Sequence, residues 1–271
     1  MDNTIEIKKE FRDYDNTNSL VAQTYKLNHT KQTVEYVKQM LDIYCKHFYS
    51  RKMNIWDAIF KLDKIVDESD PDMNLSQMNH AFQTAEGMKK LYPDNEELHL
   101  IALLHDLGKV LLLPEFGNLP QWSVVGDTYP VGCKFSDKIV FSEFFKYNSD
   151  FNDFQYNTQY GIYKPNCGLD NVLFSFSHDE YFYQFCKHND CLISDNYLKV
   201  IRYHSAYVIH KENDYEYLMN KDDYIIRDLC KQFSTLDLYT KDNNNKLIIK
   251  DLFPYYDNLI KKYFPNLIFK W

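Results

Sequence analysis

The stretch His105-Asp106-Leu107-Gly108-Lys109, entered through the apolar run 98–104 and preceded by His80, decides how this chain reads. The run predicts a buried helix. The His-Asp pair that closes it sets a neutral nitrogen ligand beside a carboxylate able to bridge two cations, and His80 offers a third ligand from another segment. His178 in Phe176-Ser177-His178-Asp179-Glu180, His204 in Arg202-Tyr203-His204-Ser205, and Asp237 in Leu236-Asp237-Leu238-Tyr239-Thr240-Lys241 all fall in segments that otherwise read as buried amphipathic helix. Four histidines and two aspartates are too many ligands for one metal with an open position and suit two. A set of nitrogen and carboxylate without thiolate fits iron, manganese or zinc and disfavours an iron-sulfur cluster. Composition does not choose among those metals. Counting two aspartates, the protein supplies −2 to a pair of cations, which leaves positive charge for an alkoxide, hydroxide or reduced oxygen.

His105 and Lys109 are four apart, so on a continuing helix the ammonium points into the cavity that holds the histidine. Asp237 and Lys241 repeat that spacing. A lysine past a helix end is ordinarily solvated and an i, i+4 pair is ordinarily exposed. Two such pairs converging on one centre would instead supply positive charge for an anionic ligand.

Scarce Gly (7) and Pro (8), with recurring helical spacing, predict a mostly α fold in a single domain. Val34, Val37, Met40, Leu41, Tyr44, Cys45 and Phe48 form one stripe; Trp56, Ile59, Phe60, Leu62, Ile65 and Val66 form another. Further helices are expected over 77–92, 96–107 with Gly108 as the terminal residue, 136–147, 170–188, 194–210 with Ser194 as N-cap, 222–239 and 251–264. Between 109 and 134 the chain concentrates Pro114, Gly117, Pro120, Gly126, Pro130 and Gly132, which predicts a long irregular segment of the kind that usually serves function. The region 147–168 reads as a second connection and 242–245 as a turn.

A net charge of −8 argues against nucleic acid or an anionic membrane as partner. No apolar run approaches the roughly 18 residues of a membrane span. Met1 to Glu10 is too charged for a signal-peptide core, so a cytoplasmic chain is expected. The six cysteines (45, 133, 167, 186, 191 and 230) show no CxxC pair and read as reduced packing residues, Cys186 and Cys191 forming a weak pair at best.

The order His80, His105-Asp106, Asp237 resembles the HD-domain metalloproteins. With the inserted His178 and His204 and several further words, the chain closely resembles the inositol oxygenases. Those words are Phe11-Arg12-Asp13-Tyr14, Asp67-Glu68-Ser69-Asp70-Pro71-Asp72, His80-Ala81-Phe82-Gln83-Thr84-Ala85-Glu86-Gly87, and Gln121-Trp122-Ser123-Val124-Val125-Gly126-Asp127-Thr128. The likeness runs from about Phe11 to Trp271, leaving 1–10 as a flexible N-terminus ahead of a catalytic domain over 11–271.

The resemblance implies two irons, active as a mixed Fe(II)/Fe(III) pair. His80, His105, Asp106 and Asp237 would hold one, and Asp106, His178 and His204 the other, with Asp106 bridging. It implies substrate contacts at Arg12, Asp67, Glu68, Ser69, Lys109, Gly126, Asp127, His204, Ser205 and Lys241. Lys109 and Asp106 would be catalytic. The implied reaction of a monomeric enzyme converts myo-inositol and O2 to D-glucuronate by ring cleavage in inositol catabolism. His29, His47, His99, His188 and His210 lie outside the matching words and read as structural or exposed. The chain departs from the family pattern at Ala206, Val208 and Ile209, where relatives carry Phe and a Pro-Trp pair.

Two other readings compete. An HD-domain phosphohydrolase shares His80, His105-Asp106 and Asp237, and Lys109 and Lys241 could hold a phosphate. The remaining words favour the oxygenase. A non-enzymatic interaction protein would bind no metal.

Overall fold

The structure, a computed structural model, describes residues 14, 19–46, 48, 51–70, 76–239 and 247–271. The expected flexible segment 1–10, the site candidates Arg12 and Lys241, and the turn at 242–245 lie outside the described residues. Among those described run eleven α-helices: α1 (Ser19–Lys31), α2 (Val34–Tyr44), α3 (Ile55–Lys61), α4 (Gln77–Leu91), α5 (Glu96–Leu104), α6 (Gln121–Val124), α7 (His178–His188), α8 (Asp195–Tyr203), α9 (Tyr207–His210), α10 (Asp223–Tyr239) and α11 (Ile249–Tyr263). Short 3-10 turns join several of them. The strands β1 (Lys52–Met53) and β2 (Phe269–Lys270) pair antiparallel, Met53 opposite Phe269. The fold is mostly α, as the spacing predicts.

Helix α5 is the axis. Asn95 caps it by accepting from the Leu98 amide, and Glu96 and Glu97 place negative charge at its positive end. Every residue from Leu98 to Leu104 is buried, so this helix is enclosed on all sides rather than amphipathic. Full burial of Leu100, Leu103 and Leu104 stabilises the fold by about 2 kcal/mol each. Helix α4 packs along α5, with α8 and α11 also against it. The Ser76 hydroxyl caps α4 by accepting from the Asn79 amide. At the far end Trp271 inserts among Phe116, Phe182 and Phe185, and its indole donates to the Met53 carbonyl at 3.1 Å.

Several elements differ from the sequence reading, each for a local reason. Helix α5 stops at Leu104 rather than Leu107, and the chain rewinds as a 3-10 turn over Leu107–Leu112. Gly108 lies inside that turn and ends nothing. A Cβ there would meet the His178 carbonyl oxygen at 2.1 Å, so glycine serves a backbone contact between the turn and α7. The helix expected over 170–188 begins only at His178, where the Ser177 hydroxyl accepts from the Asp179 amide. The apolar residues before it run extended, and Phe174 bridges Pro130.

The helix expected over 194–210 breaks at His204 and Ser205 into α8 and α9, and the Ser194 hydroxyl makes no cap hydrogen bond. Of 136–147 only Ser142–Tyr147 is helical, as a 3-10 turn after a left-handed Phe141. In the second stripe Ile59, Leu62 and Ile65 are buried, whereas Phe60 and Val66 are exposed. Helix α1, whose buried face includes the polar Thr24, Asn28 and His29, carries too little apolar contrast to be read from spacing.

All six cysteines are free thiols. Among the described residues no helix is long and apolar enough to cross a membrane.

Candidate metal centre

The ends and beginnings of helices deliver the ligand candidates to one point. His80 comes from the first turns of α4, His105 and Asp106 from the break after α5, His178 opens α7, His204 follows α8, and Asp237 sits near the end of α10. All six are buried. The breaks that the sequence spacing passed over are what aim these side chains inward: a continuous helix would send His105 and Asp106, or His204 and Ser205, to different faces.

Asp106 lies between two histidine pairs. Its Oδ2 is 3.3 Å from His105 Nε2 and 3.7 Å from His80 Nε2, while its Oδ1 is 3.1 Å from His178 Nε2 and 3.8 Å from His204 Nε2. Asp237 Oδ1 is 2.9 Å from His80 Nε2 and 3.1 Å from His105 Nε2. Two clusters of potential ligand atoms result, His80 with His105 and Asp106, and Asp106 with His178 and His204.

The donor set fits a pair of metal ions. His105, His178 and His204 each direct Nδ1 to a backbone carbonyl, of Ala102 at 2.9 Å, Val124 at 2.6 Å and Ile201 at 2.8 Å. A proton on Nδ1 fixes the tautomer and leaves Nε2 as a lone-pair donor on the side of Asp106. His178 Nε2 is fully buried and makes no hydrogen bond of sound geometry, although carboxylate oxygens lie near it. Such an atom is costly unless a cation occupies its lone pair.

The electrostatics point the same way. Burial opposes charge on His105 and His178, yet Asp106 and Asp237 hold the first up to about 10, and Asp179 with Asp106 holds the second up to about 9. Burial likewise opposes ionisation of Asp106 and Asp237, but their cationic neighbours hold both well below the usual carboxylate range. The carboxylates demand positive charge here, and metal cations satisfy that demand with the imidazoles neutral.

Around the centre the cavity is lined by Asp67, Ser69, Gln77, Lys109, Gly126, Asp127 and Ser205, with Tyr14, Tyr25, Asp70 and Tyr207. Lys109 reaches it although the helix changes type between it and His105. Its ammonium contacts Asp67 Oδ2 at 2.8 Å, Asp106 Oδ2 at 3.0 Å and Gln77 Oε1 at 2.7 Å. Burial would strip its proton, but Asp106 and Asp67 raise its pKa above the ordinary lysine value. Asp67 also accepts from the amide and hydroxyl of Ser69 at 2.9 and 2.6 Å. Asp127 accepts from the Tyr25 hydroxyl at 2.9 Å, and Gly126 takes a φ of 97° that favours glycine.

Glu68 is placed differently. It does not line the cavity; its carboxylate accepts from Thr24 at 3.5 Å. Ala206, Val208 and Ile209, where the family pattern lapses, are buried and off the inner wall, which Tyr207 supplies. His29, His99 and His210 are buried, and His210 Nε2 donates to the His204 carbonyl at 2.9 Å.

Sequence reasoning missed Gln77, Tyr25 and Asp179. Gln77 precedes His80 by three and so shares its helix face, a signal present in the spacing. Asp179 carries no such signal beyond adjacency to His178. Asp67, Asp127 and Asp179 are buried beside the six, so further carboxylates surround the two aspartates of the ligand set, with the Lys109 ammonium among them.

A family model described as myo-inositol oxygenase matches residues 18–271. The inositol oxygenase of Dictyostelium discoideum is 47% identical over 260 residues, covering 95% of this chain and 89% of that protein. Inositol oxygenase 1 of Arabidopsis thaliana is 45% identical over 266 residues, covering 97% and 85%. The inositol oxygenase of Danio rerio is 45% identical over 266 residues, covering 96% and 93%.

Proposed function

Because the chain belongs to the myo-inositol oxygenase family, we infer that it opens the ring of myo-inositol with O2, between C1 and C6, to give D-glucuronate and water. The observation that carries this reading is the placement of Asp106, whose two oxygens face two different histidine pairs. One carboxylate shared in that way is a template for two metals.

We assign His80, His105, Asp106 and Asp237 to one iron and Asp106, His178 and His204 to the other, in a mixed Fe(II)/Fe(III) pair. Bound there, the irons supply Lewis acidity toward the substrate hydroxyls and the electron that O2 requires. The chain's own residues do the rest. Lys109, fixed by Asp67, Asp106 and Gln77, keeps an ammonium at the cavity wall that would stabilise negative charge developing on a substrate oxygen. Asp67, Ser69, Gly126, Asp127, His204 and Ser205 offer the polar groups that a hydroxyl-rich ring needs. The family pattern adds Arg12, Glu68 and Lys241 to that set.

The catalytic domain spans 11–271 and is read as a monomer of the cytoplasm. Free thiols at all six cysteines accord with a reducing compartment. No observation favours phosphate-ester hydrolysis, since the cavity's Lys109 is already held between two carboxylates.

The test is aerobic turnover of myo-inositol by iron-loaded protein with isotopically labelled O2. One O2 should be consumed per glucuronate, and one oxygen of the new carboxylate should carry label. No O2 uptake, with phosphate released from an ester by the zinc or manganese form, would overturn the reading.

A further inference from the structure

Each histidine pair in the centre has a carboxylate of its own besides the shared Asp106. For His80 and His105 it is Asp237. For His178 and His204 it is Asp179, a residue the family resemblance does not assign. Asp179 Oδ1 lies 2.9 Å from His178 Nε2 and 3.2 Å from His204 Nδ1, and accepts from the Ser205 hydroxyl at 3.2 Å. The side chain is fully buried, and its second oxygen has no hydrogen-bond partner among the described residues. An ionised carboxylate enclosed with one bare oxygen costs free energy unless positive charge stands close by.

The position of Asp179 relative to His204 is informative. It contacts Nδ1, the nitrogen turned away from Asp106, where it competes with the Ile201 carbonyl for the ring proton. A carboxylate on that side pins the tautomer and the ring orientation, as partners behind metal-bound histidines do. Its backbone is pinned in turn, because the Asp179 amide donates to the Ser177 hydroxyl at 3.1 Å. Asp237 faces Nε2 of both its histidines and so serves as a ligand. Asp179 faces the back of one of its two.

We propose that Asp179 is a positioning residue for the second metal: it orients His204 from behind and supplies negative charge beside His178. The proposal rests on the two-metal reading above, and the test separates the two. Metal-free wild-type and Asp179→Asn chains are titrated anaerobically with Fe(II), with folding followed by circular dichroism. The asparagine keeps the shape and removes the charge.

Wild type should take up two equivalents. In Asp179→Asn the first should bind as before, and the second should weaken about 10- to 100-fold. A wild type that takes up one equivalent overturns the two-metal reading and this inference with it. A folded variant that binds both equivalents as wild type does overturns the role of Asp179 alone. The imidazole nitrogen shifts of metal-free wild type provide a second measurement that needs no variant. His204 protonated on Nδ1 supports the assignment, and a proton on Nε2 overturns it.

Discussion

A Cβ on Gly108 would stand 2.1 Å from the carbonyl oxygen of His178. The 3-10 turn after α5 and the first turn of α7 therefore meet backbone to backbone, which brings His178 Nε2 to within 3.1 Å of Asp106. Gly108 has no left-handed φ, so the requirement is one of contact rather than conformation. Gly108→Ala is expected to push α7 outward, cost about 1–3 kcal/mol by overpacking, and lower bound metal from two per chain toward one. Thermal melting and metal analysis check both. Unchanged melting with two metals bound would show that the contact yields.

Asp106 gives one oxygen to each cluster, so its loss reaches both metals. Asp106→Ala should lose most of both irons, whereas His178→Ala and His204→Ala should strip mainly the second. Mass spectrometry of metal content with Mössbauer spectroscopy separates these outcomes. Full occupancy in the Asp106 variant would remove it from the bridging position.

Away from the centre, His29 sets a pH dependence of stability. Burial outweighs the hydrogen bond to the Val140 carbonyl and lowers its pKa to about 4, with the ring stacked on Phe145. The folded state therefore binds this proton less readily than the unfolded chain, whose histidine titrates at about 6.5. The contribution is complete above about 6.5 and is lost as pH falls toward 4, by about 3 kcal/mol in all. Urea unfolding of wild type and His29→Phe over this window should show the pH slope in wild type and less of it in the variant. A His29 ring that titrates near 6.5 by NMR would contradict the assignment.

The sequence was most informative where one pattern had one physical meaning. The run 98–104 is apolar on nearly every face, His99 being its one polar residue, and it falls in the enclosed helix α5. The six ligand candidates that the structure brings together, His80, His105, Asp106, His178, His204 and Asp237, were readable by type and order. The turns that aim them were not, because apolar spacing continues through Leu107 and through Val208 and Ile209 although the helix breaks before each. Only the Ser177 cap marked where α7 begins, and the Val172 and Phe176 side chains are buried whether that segment is extended or helical. Asp179 and Tyr25 stayed hidden because their roles arise from contacts across 26 and 102 positions of chain.

Lys109 tests whether the cavity does chemistry beyond holding metal. Its ammonium separates Asp67 from Asp106, so removing it leaves two buried carboxylates facing each other. In metal-free protein Lys109→Ala should cost about 3 kcal/mol, as expected for breaking a buried pair. Bound metal should recover part of this, because a cation neutralises Asp106 in its place. Lys109 is an ammonium that donates to Asp67, Asp106 and Gln77 and is no ligand candidate, so both irons should remain. Turnover should nonetheless fall by about 10²-fold or more, the usual cost of removing a group that stabilises a developing oxyanion. If the lysine acts on the reacting hydroxyl, the loss appears in kcat. If it merely braces Asp67 for substrate binding, the loss appears in KM. Steady-state kinetics on the iron-loaded variant, at matched metal content, distinguish the two, and near-normal kcat with raised KM would reassign Lys109 to substrate binding.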